Sequence, residues 1–304
     1  MTSVLRAGVV GAGVFGGYHA DKYAELDGVV LSAVLDTHPE RAAALAARHG
    51  GQAFSDMAAF LDAADVVSVA SPAVSHARVT LAALRAGKHV YVEKPIATSL
   101  EDADAILGEA SRRGLHVACG FLERAAFRAM GLFEIPEPPR RLEAVRCGPA
   151  SPRNLDVSVV MDLMIHDLDL ALALTAADPM AVEADGACVA NALLDEVSAE
   201  VNFDDGFTAL FRASRVAQVR ERTMRLVYNS GEVVVDFLTH SFSNTTPYAL
   251  NPDYDETPAG KDRLGASIGA FLAAVRGGGS PLANGLDGVK ALDLALAVEQ
   301  AVGH

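Results

Sequence analysis

Gly11-Ala12-Gly13-Val14-Phe15-Gly16 spaces three glycines as G-x-G-x-x-G between the apolar run Leu5–Val10 and a segment, Val14–Leu26, with helical spacing. The chemistry that such a turn serves is phosphate binding. Its first glycine permits the tight turn, its second lets backbone approach a pyrophosphate, and its third lets helix and strand pack closely. N–H groups at the helix start, those of Val14 and Phe15, then meet the anion with the helix dipole behind them. Asp36 closes the second β-branched run, Val29–Leu35, and lies 20 residues beyond Gly16. A carboxylate there accepts hydrogen bonds from a ribose 2′-hydroxyl and repels a 2′-phosphate. Thr37-His38-Pro39 follows, with no arginine before Arg41, so NAD is the expected cofactor and NADP is disfavoured. The plainer alternative is a glycine turn in an ordinary α/β domain, with Asp36 capping the next helix. Loop, placement and acid occurring together weigh against it.

A second group of residues is suited to moving protons. The chain has only five lysines, and Lys94 stands in Glu93-Lys94-Pro95, just past the strand-like His89–Val92. Ligands of doubly wound sheets bind beyond the carboxyl ends of the strands. A lysine that is partly desolvated there, near a cationic ring, loses affinity for its proton and suits acid–base work; the alternative is a surface lysine paired with Glu93. Further on, Met161–Asp169 sets Asp162 and His166 at i and i+4, with Asp169 three residues beyond. They share one face of a helix that is otherwise apolar. A carboxylate-oriented imidazole is a ready proton acceptor near neutral pH. The same spacing suits a metal or a purely structural pair, but no cysteine or third ligand is close by, and no metal is expected.

These groups need a scaffold, and the pattern of the first 120 residues supplies one. Continuous apolar runs (Leu5–Val10, Val29–Leu35, Val66–Ala70, His89–Val92, Leu115–Ala118) alternate with helical segments. That predicts a parallel sheet covered on both faces, a Rossmann-type doubly wound α/β domain over residues 1–119. Residues 120–304 predict an α+β domain for substrate binding and oligomerisation. In it, helices over about Glu123–Leu132 and Val160–Ala176 precede an open, mainly antiparallel sheet from Ala181–Val189, Val197–Phe203, Phe207–Ser214 and Met224–Val235. Asp205-Gly206 and Asn229-Ser230-Gly231 mark turns. Two closing helices, about Asp262–Arg276 and Leu286–Val302, are placed to pack back on the first domain.

Net charge is −14, which opposes nucleic acid and anionic membrane as partners. No apolar run reaches the roughly 18 residues of a membrane span, and the N-terminal stretch is too short for a signal peptide. Cys119, Cys147 and Cys188 are odd in number and widely spaced, so neither a disulfide framework nor a zinc site is expected. A cytoplasmic protein is the expectation.

The N-terminal glycine motif, Ser71-Pro72-Ala73-Val74-Ser75-His76, the string Ala86-Gly87-Lys88-His89-Val90-Tyr91-Val92-Glu93-Lys94-Pro95 and the D-x-x-x-H of Asp162–His166 together resemble the Gfo/Idh/MocA oxidoreductases. The resemblance covers nearly the whole chain. It implies that Lys94, Asp162 and His166 form the catalytic set, with Asp162 orienting His166. It also implies that Ser71, Pro72, His76 and the Glu93-Lys94-Pro95 turn lie beside the cofactor, and that the second-domain sheet builds a homodimer or homotetramer. Within the family, Cys119–Arg124 and Val159–Asp169 are similar to the branch of UDP-N-acetylglucosamine 3-dehydrogenases, although this chain reads Glu123-Arg124-Ala125-Ala126-Phe127 where that branch reads ERFNP. The expected substrate is then a sugar or nucleotide sugar, oxidised at a secondary hydroxyl. A free sugar, an inositol or another small carbonyl compound is the alternative, and a non-catalytic NAD-binding regulator a third. Glu123, Arg124, Arg153 and Asp169 are the candidate substrate residues. Arg128, Arg140, Arg141 and Arg146 complete an arginine-rich stretch suited to a diphosphate.

Overall fold

The computed structural model describes residues 4–151, 156–190 and 192–303. The chain divides into two compact units: residues 1–122 with 262–289, and residues 123–261 with 290–304. The first division therefore falls at Leu122/Glu123, beside the boundary after residue 119 that composition predicts, and the segment Asp262–Val289 belongs with the N-terminal unit.

In the first unit six strands, β1 (Leu5–Val10), β2 (Val29–Leu35), β3 (Gln52–Phe54), β4 (Val66–Val69), β5 (His89–Val92) and β6 (Val117–Cys119), form one parallel sheet in the order β3-β2-β1-β4-β5-β6. Helices α1 (Val14–Glu25), α2 (Pro39–His49), α3 (Met57–Asp62), α4 (His76–Arg85) and α5 (Leu100–Arg113) connect them. Their ends follow from local chemistry. Ser99 caps α5 by accepting from Asp102 N–H, Glu101 and Asp102 fill its first turn, Arg112 and Arg113 its last, and Gly114 stops it in the left-handed region. Val9, Val66, Val67, Val69, Val90 and Val92 are fully buried, as strands covered on both faces require. Because the strand order reverses between β1 and β4, a crevice is expected at their carboxyl ends. The glycine turn, Asp36, Ser71, Glu93-Lys94-Pro95 and Gly120 all follow directly from the carboxyl ends of these strands.

The second unit begins with α6 (Glu123–Met130). Seven strands follow: β7 (Arg141–Cys147), β8 (Pro179–Ala187), β9 (Glu196–Phe203), β10 (Thr208–Ser214), β11 (Glu221–Tyr228), β12 (Gly231–Asp236) and β13 (Ser241–Asn244). They pair in the order β13-β12-β11-β7-β10-β9-β8, antiparallel except for the parallel β7–β10 neighbours. The sheet thus has more strands than the four runs the sequence suggests. Met224–Val235 folds as two strands turning at Asn229-Ser230, and β7 lies in the middle of the sheet although its sequence reads as surface arginines. The helix predicted over Val160–Ala176 opens as one wide π-type turn, Val160–Met164, and continues as α7 (Ile165–Leu174). Such turns often mark functional positions.

Short α8 (Pro258–Lys261) closes this stretch. The next helix, α9 (Arg263–Val275), packs Ile268, Phe271 and Leu272 into the core of the first unit beside Ala20, Tyr23 and Tyr91. Tyr91 hydroxyl meets Ser267 Oγ at 2.9 Å. The last helix, α10 (Gly285–Val302), starts in the first unit and ends in the second.

At the amino ends of β5 and β6, His89 and His116 stack with ring centroids 5.4 Å apart. His116 N–H donates to His89 Nδ1 at 3.0 Å, so that nitrogen must stay unprotonated. Burial, reinforced by His116, lowers the His89 pKa below its ordinary value. With the folded value below the unfolded one, protonation favours unfolding, so stability is lost as pH falls from the unfolded value, about 6.5, toward the folded one. Replacing His89 by Asn keeps an acceptor without the titration. Melting temperatures at pH 8 and pH 5.5 should differ less for His89→Asn than for the wild type; an equal difference contradicts this reading.

Candidate active site

The glycine turn separates two reasons for being glycine. Gly11 has φ +97°, and a Cβ there would lie 2.7 Å from the backbone of Ala70 and Ser71. A Cβ on Gly16 would strike the Gly11 carbonyl oxygen. Both are demanded by packing inside the unit. Gly13 is different. Its φ of −80° suits any residue, and a Cβ there would meet nothing within 4 Å. It is also the residue before α1, where no side chain caps the first N–H groups. The fold gives no reason for a glycine at that point, whereas close approach of a pyrophosphate to backbone does. Val14 and Phe15, the first helical residues, are both exposed. The turn therefore fits a dinucleotide phosphate.

Asp36 is anchored to this turn. Its Oδ2 accepts from Ala12 N–H at 2.6 Å and its Oδ1 from His38 N–H at 2.8 Å. Burial pushes the carboxyl up, but the His38 and Ala12 N–H groups, with His38 and Arg41 adding to them, outweigh it and hold the pKa below the ordinary value. An ionised carboxylate with lone pairs to spare can still accept from ribose hydroxyls. Thr37 Oγ1 is 3.5 Å from Asp36 Oδ1.

Beyond β4 and β5, His76 joins two turns. Its Nε2 is 2.7 Å from the Ser71 carbonyl oxygen and its Nδ1 is 2.7 Å from the Pro95 carbonyl oxygen. Ser71 Oγ also meets Ser75 Oγ at 2.6 Å, and Ser75 Oγ donates to the Pro72 carbonyl at 2.7 Å. The Lys94–Pro95 peptide bond is cis. Glu93 turns inward: its Oε1 is 2.8 Å from Nε2 of the fully buried His19, whose Nδ1 meets Ser68 Oγ at 2.9 Å. Burial raises the Glu93 carboxyl, and the bond and charge of His19, then the charges of Lys94 and His76, pull it back below normal. Gly120 gives this carboxylate room, since a Cβ there would sit 2.6 Å from Oε2. Glu93 is thus an anchor for the turn that presents the partly exposed Lys94, rather than a group facing outward.

The second unit gathers residues that sequence spacing does not connect. His166 Nδ1 lies 3.0 Å from Glu123 Oε2. Arg146 Nη1 donates to Glu123 Oε1 at 2.9 Å, and the same guanidinium forks onto Asp167 at 2.9 and 2.8 Å. Burial pushes the Glu123 carboxyl up, yet His166 and Arg146, with Arg222 further off, drive it well below the usual range. The i, i+4 spacing predicts Asp162 as the carboxylate on His166; the one that the structure sets at Nδ1 is Glu123. Asp162 and His166 are both partly exposed on the π-type turn and α7.

Three of the substrate candidates make contacts within the second unit. Glu123 is buried, with its oxygens on Arg146 and His166, so it faces the protein. Arg124 and Asp169 bind each other through a fork of 2.9 and 2.7 Å, and the Asp169 side chain is 1% exposed. Arg146 is equally removed from the diphosphate-binding stretch at 3% exposure. Arg128 is exposed on α6, Arg140 donates to Asn229 Oδ1 at 3.2 Å, and Arg141 pairs with Glu143 at 2.7 Å. Arg153 lies outside the described residues. His19 and Arg146 carry no motif. The one available signal for Arg146 is parity, since Leu142, Ala144 and Arg146 share the inward side of β7. Among the described residues no group of three or more His, Cys, Asp or Glu is arranged to hold a metal, and no helix is long and apolar enough to cross a membrane.

A phosphate-ready glycine turn with an anchored acid beside it, on a parallel sheet of this order, defines an NAD-binding oxidoreductase domain. Residues 5–121 match the NAD-binding Rossmann domain of the Gfo/Idh/MocA oxidoreductase family, and residues 142–234 match a C-terminal domain of the same family. The chain belongs to that family. It is 38% identical over 307 aligned positions, 98% of this chain and 97% of the relative, to UDP-N-acetylglucosamine 3-dehydrogenase of Acidithiobacillus ferrooxidans. A solved structure of that enzyme superposes with a TM-score of 0.91 at 37% identity, covering 99% of this chain and 98% of the other. The scyllo-inositol 2-dehydrogenase (NAD(+)) of Bacillus subtilis is 25% identical over 98% of this chain and 94% of its own length.

The two kinds of glycine give a direct check. Gly16→Ala should lower the melting temperature by several degrees, because the added methyl has no space. Gly13→Ala should leave it within about 2 °C yet weaken NAD binding about tenfold or more, because only the ligand needs that approach. Unchanged NAD affinity in Gly13→Ala, measured by calorimetry, would contradict the assignment.

Proposed function

We propose that this chain is an NAD-dependent dehydrogenase that oxidises the C3 hydroxyl of UDP-N-acetylglucosamine. Full-length likeness to an enzyme of that name carries the substrate; an imidazole backed by an ionised carboxylate supports the chemistry. Bound NAD supplies the hydride acceptor. Gly11, Gly13 and Gly16 with the Val14 and Phe15 N–H groups would hold its pyrophosphate, and Asp36 with Thr37 its adenosine ribose. Ser71, Pro72, His76, Lys94 and Pro95 would line the nicotinamide side, steadied by Glu93.

For the substrate, His166 takes the hydroxyl proton through Nε2, the ring nitrogen on the side away from Glu123. Lys94, as ammonium, stabilises the developing alkoxide. Asp162 adds a second carboxylate four residues before His166. With Arg124 and Arg146 committed to internal carboxylates, Arg153 is the arginine of that stretch that we assign to the diphosphate, which needs local positive charge in a chain of net charge −14. The protein is cytoplasmic in this reading. It self-associates through the outward face of the seven-stranded sheet, where Val145, Leu210 and Val227 sit among charged neighbours.

A second reading takes a free inositol or sugar as substrate, and likeness to an inositol dehydrogenase favours it. NADH formation, followed at 340 nm with UDP-N-acetylglucosamine, N-acetylglucosamine and inositols, separates the two. The nucleotide sugar should have the highest kcat/KM by about 100-fold or more, consistent with a bound diphosphate. Lys94→Ala and His166→Ala should each lower kcat about 100-fold or more, the size of an acid–base contribution, with NAD affinity retained. Comparable turnover of a free sugar promotes the second reading, and near-normal turnover of either variant removes that residue from the chemistry.

A further inference from the structure

The proposed function uses one nitrogen of His166, and the second unit contains what is needed to decide which one. Nδ1 faces Glu123 Oε2 at 3.0 Å. Glu123 comes from the first turn of α6, His166 from the start of α7, and Arg146 from the inward side of β7. Arg146 fixes the carboxylate from behind at 2.9 Å and is itself locked by its fork on Asp167, the residue next to His166. Arg146 and Asp167 side chains are 3% and 6% exposed, so the frame is held out of water, where charge-assisted bonds are strongest. The charges facing Glu123 are His166, Arg146 and Arg222 of β11. Asp162 precedes His166 on the same helical segment, and the Arg124–Asp169 pair links the same two helices.

We propose that Glu123, braced by Arg146, is the positioning residue for His166: it keeps the proton on Nδ1, leaves Nε2 as acceptor, and favours the imidazolium once a proton has been taken. A carboxylate, which can only accept, held at ion-pair distance from Nδ1 favours the tautomer that carries its proton there. Arg146 serves two carboxylates with one charge, so negative charge remains to offset a protonated ring. The inference rests on the proposal that His166 handles the substrate proton, but its own content, a tautomer and a titration, is measurable without turnover.

The test uses the full chain labelled with 15N-histidine, with the His166 signals assigned by their loss in His166→Asn. At alkaline pH the wild-type ring should show Nδ1 protonated and Nε2 bare. In Glu123→Gln the His166 titration should move to lower pH by about one unit, since the favouring charge is gone. The acidic limb of kcat against pH should move with it, kcat should fall about tenfold to a hundredfold, and KM should change less than about threefold. A proton on Nε2 in the wild type, or the same titration midpoint in Glu123→Gln, overturns the proposal. The wild-type tautomer decides it even if Glu123→Gln does not fold. If tautomer and titration come out as expected while His166→Asn still turns over, the positioning stands and the catalytic assignment of His166 fails.

Discussion

A buried guanidinium holds the second unit's chemistry in place. Arg146 projects from the middle of the sheet, forks onto Asp167 and reaches Glu123, which ties β7, α6 and α7 together at one point. Its partners hold its proton more tightly than usual, so it stays charged at any working pH. Removing one partner from such a group leaves a buried charge uncompensated, at a cost of about 3–5 kcal/mol. An apolar residue of similar volume would fill the space, but it would leave Glu123 without a brace and His166 without a fixed carboxylate.

The first unit uses the same device on a smaller scale. Asp36 and Glu93 both look outward in the sequence, since each follows a strand at the end where ligands bind. Each spends part of its carboxylate on the protein, Asp36 on the Ala12 and His38 N–H groups and Glu93 on His19. The loops that must stay in register with a ligand are thereby tied to rigid strands. The backbone at Gly13 stays exposed, and Asp36 and Lys94 stay partly exposed.

What the chain announces locally was legible. The glycine turn, the acid after the second strand, the Glu-Lys-Pro turn and the Asp/His helix all depend on neighbours within a few residues, and continuous apolar runs suffice to indicate a parallel sheet, although neither its order nor the short β3 follows from them. What escaped depends on distant partners. Glu123 and Arg124 read as substrate ligands because nothing in their surroundings reveals Arg146, 23 residues on from Glu123, or Asp169, 45 residues on from Arg124. β7 carries arginine at both its outward and its inward positions, so alternation of polarity fails as a signal there. The π-type turn at Val160–Met164 is too short for its period to be told from that of an α-helix, which makes the i, i+4 argument for Asp162 on His166 weaker than it looks.

The central claim is that hydride leaves C3 of the nucleotide sugar. Incubation of the protein with NAD and UDP-N-acetylglucosamine deuterated at C3, followed by mass spectrometry of both products, measures it directly. The account predicts reduced cofactor heavier by one deuterium and a sugar product that has lost it, with the UDP group intact. Reduced cofactor without label, or label retained in an unoxidised nucleotide sugar while a free inositol is turned over, would contradict it.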